Sequence, residues 1–193
     1  MIETIFGNIR GLLTRPLATF RAVRDEEMRS VFRYFLFILV ADAILTAIIS
    51  LSGAGTFGLL WRVLRIRHPV LIVFAVLVGG LVLIPLFSAW LHLWVRLVGG
   101  TCGFPRTVRA VMYGATPGLL FGWIPYIGIL FYFWTLVLII FGLYELQGIE
   151  AERAAFAVIV AVIIPLVLLI LAAAWLLFSA PAMAVSTGRA GLL

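Results

Sequence analysis

The sequence predicts an all-α membrane protein: a polytopic bundle of about five transmembrane helices, preceded by amphipathic helices lying at the membrane interface. Three observations predict it. Of 193 residues, 65% are apolar and 11% charged, whereas soluble domains hold about 45–50% and about 25%. The apolar residues gather in runs long enough to cross a hydrocarbon layer of about 30 Å. Prolines and glycines stand where those runs have to end or turn. This composition excludes a soluble enzyme, a disordered chain and a disulfide scaffold. The single cysteine, Cys102, allows no intramolecular disulfide and no cysteine-based metal site.

The elements follow in chain order. Ile2, Ile5, Phe6, Ile9, Leu12 and Leu13 recur at helical spacing between Glu3, Asn8 and Arg10. Such a stripe is too short and too polar to span. Thr14-Arg15-Pro16 stops that helix and starts another, because proline suits a first turn whose N–H is unpaired anyway. Both helices are expected to lie in the interface plane; packing on the protein's own helices is the alternative. The charged stretch before the first apolar run contains Asp25, Glu26 and Glu27, unlike a signal peptide, so it is read as part of the mature protein. The first span covers about Phe32 to Leu51 and is interrupted only by Asp42. A glycine- and arginine-bearing loop, Ser52 to His68, leads to a second span from Pro69 to Val98. That span is long enough to require tilt, a kink at Pro85 or projection beyond the bilayer. Ala110 to Tyr144 carries no charge, so it must fold back, and Gly122-Trp123-Ile124-Pro125 supplies the turn. The first arm of this hairpin, residues 107–121, is short enough either to span or to re-enter. The last span runs from about Arg153 to Phe178. The expected organisation is a cytoplasmic-side segment (1–30), a helix bundle (31–180) and a short tail (181–193).

Charge sets the expected orientation. All 14 basic residues are arginine, and the net charge is +6. Arg10, Arg15, Arg21, Arg24, Arg29, Arg33, Arg96, Arg106, Arg109 and Arg153 fall on one side; Arg62, Arg65, Arg67 and Arg189 fall on the other. Arginine marks the cytoplasmic side, so the chain is expected in the cell membrane with its N-terminus inside and its C-terminus outside. The N-terminal arginines, Arg10, Arg15, Arg21 and Arg24 among them, suit anionic headgroups of the inner leaflet. Nucleic acid, which needs a basic face on a soluble fold, is not an expected partner.

No metalloprotease, hydrolase-elbow or phosphate-loop motif occurs. No catalytic residue, metal or cofactor is expected, and the chain is read as a non-enzyme. Asp42 is the most informative polar residue, because a charge at mid-bilayer costs about 2.5–3.5 kcal/mol on insertion scales. It either lines a polar path with Ser88, His92 and Arg96 or pairs with His92 or an arginine, or else it is protonated and hydrogen-bonds a neighbouring helix as structural glue. Ala110, Gly114, Gly118 and Gly122 repeat every four residues, with Pro117 among them. Small residues at that spacing let helices approach closely, inside the bundle or, as the sharper alternative, along a dimer seam.

The chain resembles the Yip1 family. The resemblance rests on Leu12-Leu13-Thr14-Arg15-Pro16 with Phe20 and the acidic cluster, and on Tyr113-Gly114-Ala115-Thr116-Pro117. It also rests on Gly122-Trp123-Ile124-Pro125, Gly142-Leu143-Tyr144-Glu145, Gly148-Ile149 and Ala154-Ala155. It implies five helices and a cytoplasmic N-terminus. Eukaryotic members associate with small GTPases in vesicle traffic, but the Asp-Leu-Tyr-Gly-Pro motif of their cytoplasmic region does not occur in these residues, so that role is not carried over. Two functional expectations result: a membrane-organising or scaffolding protein, with a homo-oligomer or membrane protein as partner, and a small permease or lipid-translocating protein using Asp42, Ser88 and His92.

Overall fold

Proline and glycine placement decides where the helices begin and end. The computed structural model describes residues 2–51, 61, 63, 65, 66 and 68–190, with side chains from 3 to 176 within those limits. The expected loop from Ser52 to His68 therefore lies mostly outside the described residues, as do the side chains of Arg62, Arg67 and Arg189. The described helices are α1 (Ile2–Thr14), α2 (Pro16–Ala22), α3 (Met28–Leu51), α4 (Pro69–Leu97), α5 (Phe104–Gly114), α6 (Thr116–Phe121), α7 (Gly128–Gln147) and α8 (Ala151–Ala190). Prolines occupy the first turns of α2, α4, α5 and α6, as their missing N–H dictates. Gly148 ends α7 at φ 66°, a left-handed conformation that only glycine adopts freely.

Among the described residues four helices are long and apolar enough to cross a membrane: Met28–Ser50, Pro69–Leu97, Gly128–Gln147 and Ala151–Leu176. The protein is thus an all-helical, multi-pass membrane protein. The expected fifth hydrophobic helix, 107–121, consists of α5 and α6, which meet at Ala115. The break has a local cause. Pro117 has no N–H to give the Tyr113 carbonyl, and the Thr116 hydroxyl donates to that carbonyl instead, at 2.6 Å. Pro85 lies inside α4 without ending it; its 29 residues extend about 43 Å at 1.5 Å per residue. Helix α8 continues through Ala190, where a short tail was expected.

The chain divides into two compact units, residues 1–158 and 159–193. In the first, α3 packs on α4, α5 on α7 and α4, and α2 on α7. The core comprises Phe20, Tyr34, Phe35, Leu39, Leu91, Tyr113, Leu138 and Leu143 among others. The expected interfacial stripe divides in two: Ile5, Leu12, Phe20 and Val23 are buried, whereas Phe6 and Leu17 are exposed. The buried face of α2 rests on protein, since Phe20 reaches Gly142 of α7, so the packing alternative describes that helix. On α4, Val70, Phe74, Val82, Leu86 and Leu93 are exposed, which suits a helix in contact with acyl chains. In the second unit, residues 166–171 are all exposed and all apolar; six consecutive residues go right round a helix of 3.6 residues per turn.

Candidate functional site

The polar groups collect at the end of the bundle where α3 starts, α4 stops, α5 starts and α7 stops. The segment between α2 and α3 is held there from α5. The guanidinium of Arg109 donates to the backbone carbonyls of Arg24 and Glu26, and the Tyr113 hydroxyl donates to the Glu26 carboxylate. Ser30 donates to the other oxygen of that carboxylate. Arg109 and Tyr113 stand four apart on one face of α5, so a single helix turn supplies both contacts. Arg109 is 7% exposed, and its planar fork presents separate N–H groups to the two carbonyls in one fixed geometry.

This network continues inward. The Thr116 proton goes to the Tyr113 carbonyl, so in the 2.9 Å contact between the Tyr34 and Thr116 hydroxyls tyrosine is the donor. The Tyr34 and Tyr113 rings lie 4.6 Å apart, tilted by 42°. The resemblance motif Tyr113-Gly114-Ala115-Thr116-Pro117 is therefore the hinge of the α5–α6 break and the anchor for α3 and the α2–α3 segment. A second anchor joins α2 to α7: Arg21 forms an ion pair with Glu145 at 2.7 Å. The hydrogen bond and charge of Glu145 raise the Arg21 guanidinium pKa above its ordinary value. A third polar group centres on Gln147, 2% exposed. Its amide donates to the Gly103 carbonyl and the Thr107 hydroxyl, each at 2.9 Å, and accepts from the Cys102 N–H at 3.1 Å.

The residues singled out from sequence occupy separate places. Asp42 is buried and accepts from Thr46, one turn on, at 3.3 Å. Ser88 donates to the Ile84 carbonyl at 2.7 Å. His92 shares a 2.8 Å hydrogen bond with Thr107 and stacks edge-on against Phe104; Arg96 is exposed beyond it. Leu39 of α3 faces Gly80 of α4, which places His92, twelve residues beyond Gly80, about 18 Å further along α4. Asp42 lies the other way along the hairpin, so His92 and Asp42 do not share a site. The small-residue stripe packs internally: a Cβ on Gly114 would meet the Ile139 backbone nitrogen at 3.0 Å. Gly118 and Gly122 face Tyr132, while Ala110 lies against Gly142; Pro117 is buried beside them. Arg10, Arg15, Arg21 and Arg24 are exposed, as membrane-surface residues need to be. Among the described residues no cluster of histidine, cysteine and carboxylate side chains could hold a metal.

Two adjoining clefts separate α1 from α3. One, of about 110 Å³, is bounded by Thr4, Asn8, Glu26, Ser30, Arg33 and Tyr34, with Ile5 at its edge. The other, of about 510 Å³, is bounded by Ile5, Arg33, Leu36, Phe37 and Val40. Residues with polar groups border most of the first, the second is almost wholly apolar, and Ile5 and Arg33 belong to both.

The family model for the Yip1 domain matches residues 10–183. The chain belongs to the Yip1 domain family. That match takes in α2 through most of α8, including the Tyr113–Pro117 hinge and the α2–α3 segment it holds. No curated protein and no solved structure gives a significant match. Within this Yip1 domain, sequence reasoning missed Glu26, Tyr34, Thr107 and Gln147, and took Arg109 only as a marker of orientation. The signal for Tyr113 and Thr116 was the family motif itself.

Proposed function

We propose that this Yip1 domain protein is a non-enzymatic organiser of the cell membrane, which holds a basic platform of N-terminal helices against the inner leaflet. The observation that carries the reading is the clamp of Arg109 and Tyr113 on the Arg24–Glu26 segment. It fixes α2 to the bundle, so that Arg10, Arg15, Arg21 and Arg24 meet anionic headgroups as one prearranged surface, each worth about 1 kcal/mol. The arginine asymmetry supports an N-terminus inside and a C-terminus outside. The exposed apolar helices find their partner in the bilayer, with a second copy or a membrane protein as the further partner. The permease reading places a polar path at Asp42, Ser88 and His92. Their hydrogen bonds to Thr46, Ile84 and Thr107 favour a packed interior instead.

Reconstitution separates the two. In vesicles containing anionic lipid, the wild type should narrow or tubulate the membrane in electron micrographs, and the triple variant Arg10→Gln, Arg15→Gln, Arg24→Gln should not. Lipid scrambling and ion flux should equal those of protein-free vesicles. Scrambling above that level that is lost in Asp42→Asn would replace this reading with the permease.

A further inference from the structure

We propose that the joined clefts between α1 and α3 bind a single phospholipid whose headgroup ends in a primary ammonium, of the phosphatidylethanolamine type. The site stands apart from the basic platform, which needs no bound lipid.

Two opposite charges share the first cleft without pairing with each other. Glu26 and Arg33 both border the polar cleft, yet among the described residues no ion pair engages either one. The Glu26 carboxylate accepts from Ser30 and Tyr113, which leaves part of its acceptor capacity free, since a carboxylate offers about four lone-pair sites. The Arg33 side chain lies at the junction of the polar and apolar clefts. A phosphate between Arg33 and the Asn8 amide, with an ammonium reaching Glu26, would satisfy both charges with one ligand.

The apolar cleft supplies the other half. It runs along α3 from Arg33 to Val40, with Ile5 of α1 on its other side, about 10 Å deeper along the axis. A chain leaving the phosphate would pass over Ile5, Phe37 and Val40. Charge and hydrogen bonding together discriminate against the glycerol and choline headgroups. An anionic glycerol headgroup would bring no cation to Glu26. A choline headgroup has no N–H to donate to a carboxylate and is bulkier.

Binding is measured on the full chain in detergent, by native mass spectrometry during titration with phosphatidylethanolamine, phosphatidylcholine or phosphatidylglycerol of one acyl composition. Phosphatidylethanolamine should bind at least tenfold more tightly than either of the others. Glu26→Gln should remove its advantage over phosphatidylcholine. Arg33→Gln, and Val40→Trp filling the apolar cleft, should each weaken phosphatidylethanolamine at least tenfold with helicity and melting unchanged. If Glu26→Gln does not fold, the two exposed positions Arg33 and Val40 decide the matter. Equal binding of the three lipids, preference for phosphatidylglycerol, or undiminished binding in both Arg33→Gln and Val40→Trp overturns the proposal.

Discussion

Replacing Arg109 by alanine tests the clamp. The substitution removes the donors that satisfy the Arg24 and Glu26 carbonyls, in a place where the arginine itself is 7% exposed. Hydrogen bonds to a charged group are worth about 1.5–3 kcal/mol each, so two of them amount to about 3–6 kcal/mol. Tyr113 and Ser30 still hold Glu26 after the change, so the lower end of that range, about 3 kcal/mol, is expected. Arg109→Lys keeps the charge but loses the fork, and should fall between wild type and alanine. Arg106→Ala, which loses a single bond to the Leu146 carbonyl, is the comparison, with about 1.5 kcal/mol expected, the lower end of the same range for one half-exposed bond. The assay is thermal unfolding in detergent alongside limited trypsin digestion. Arg24 and Arg29 are exposed but sit in clamped backbone. Arg109→Ala should therefore be cut after them well below its melting temperature, and the wild type should not. Wild-type melting together with wild-type digestion of Arg109→Ala would refute the clamp.

Three further outcomes are expected. Gly118→Leu should lower stability by about 3 kcal/mol or more, since overpacking costs about 1–3 kcal/mol and a Cβ alone would already lie 2.7 Å from the Thr135 hydroxyl; an unchanged melting curve would contradict close packing there. Asp42→Asn should fold and melt like the wild type, because the amide oxygen still accepts from Thr46; failure to fold would show that the charge itself is required. In a background lacking Cys102, cysteines introduced at Arg65 and Arg189 should react only with reagent added outside the cell; labelling of both from the cytoplasmic side alone would reverse the orientation.

Much of the fold was legible because hydropathy and proline act locally. The spans, the turn at Gly122–Pro125 and the starts at Pro16 and Pro69 all depend on a few adjacent residues. What covers an amphipathic helix is not local. The stripe from Ile5 to Val23 announces an apolar face, but protein and lipid satisfy such a face equally well, and only Phe20 lying on Gly142 decides for α2. Glu26 reads as one member of an acidic cluster; the contact that ties it to the bundle comes from Tyr113, 87 positions away. Asp42 differs, because Thr46, one turn along the same helix, donates to it, a contact that sequence spacing alone can supply.

A fixed basic platform requires the N-terminal helices to be part of the folded bundle, and a photo-crosslink in a lipid bilayer tests this directly. Benzoylphenylalanine in place of Phe20, which is wholly buried, keeps an aromatic ring where one already packs. After irradiation in nanodiscs and digestion, the crosslinked peptide should come from α7 around Gly142. Adducts with lipid alone would show α2 lying free on the membrane and contradict the account.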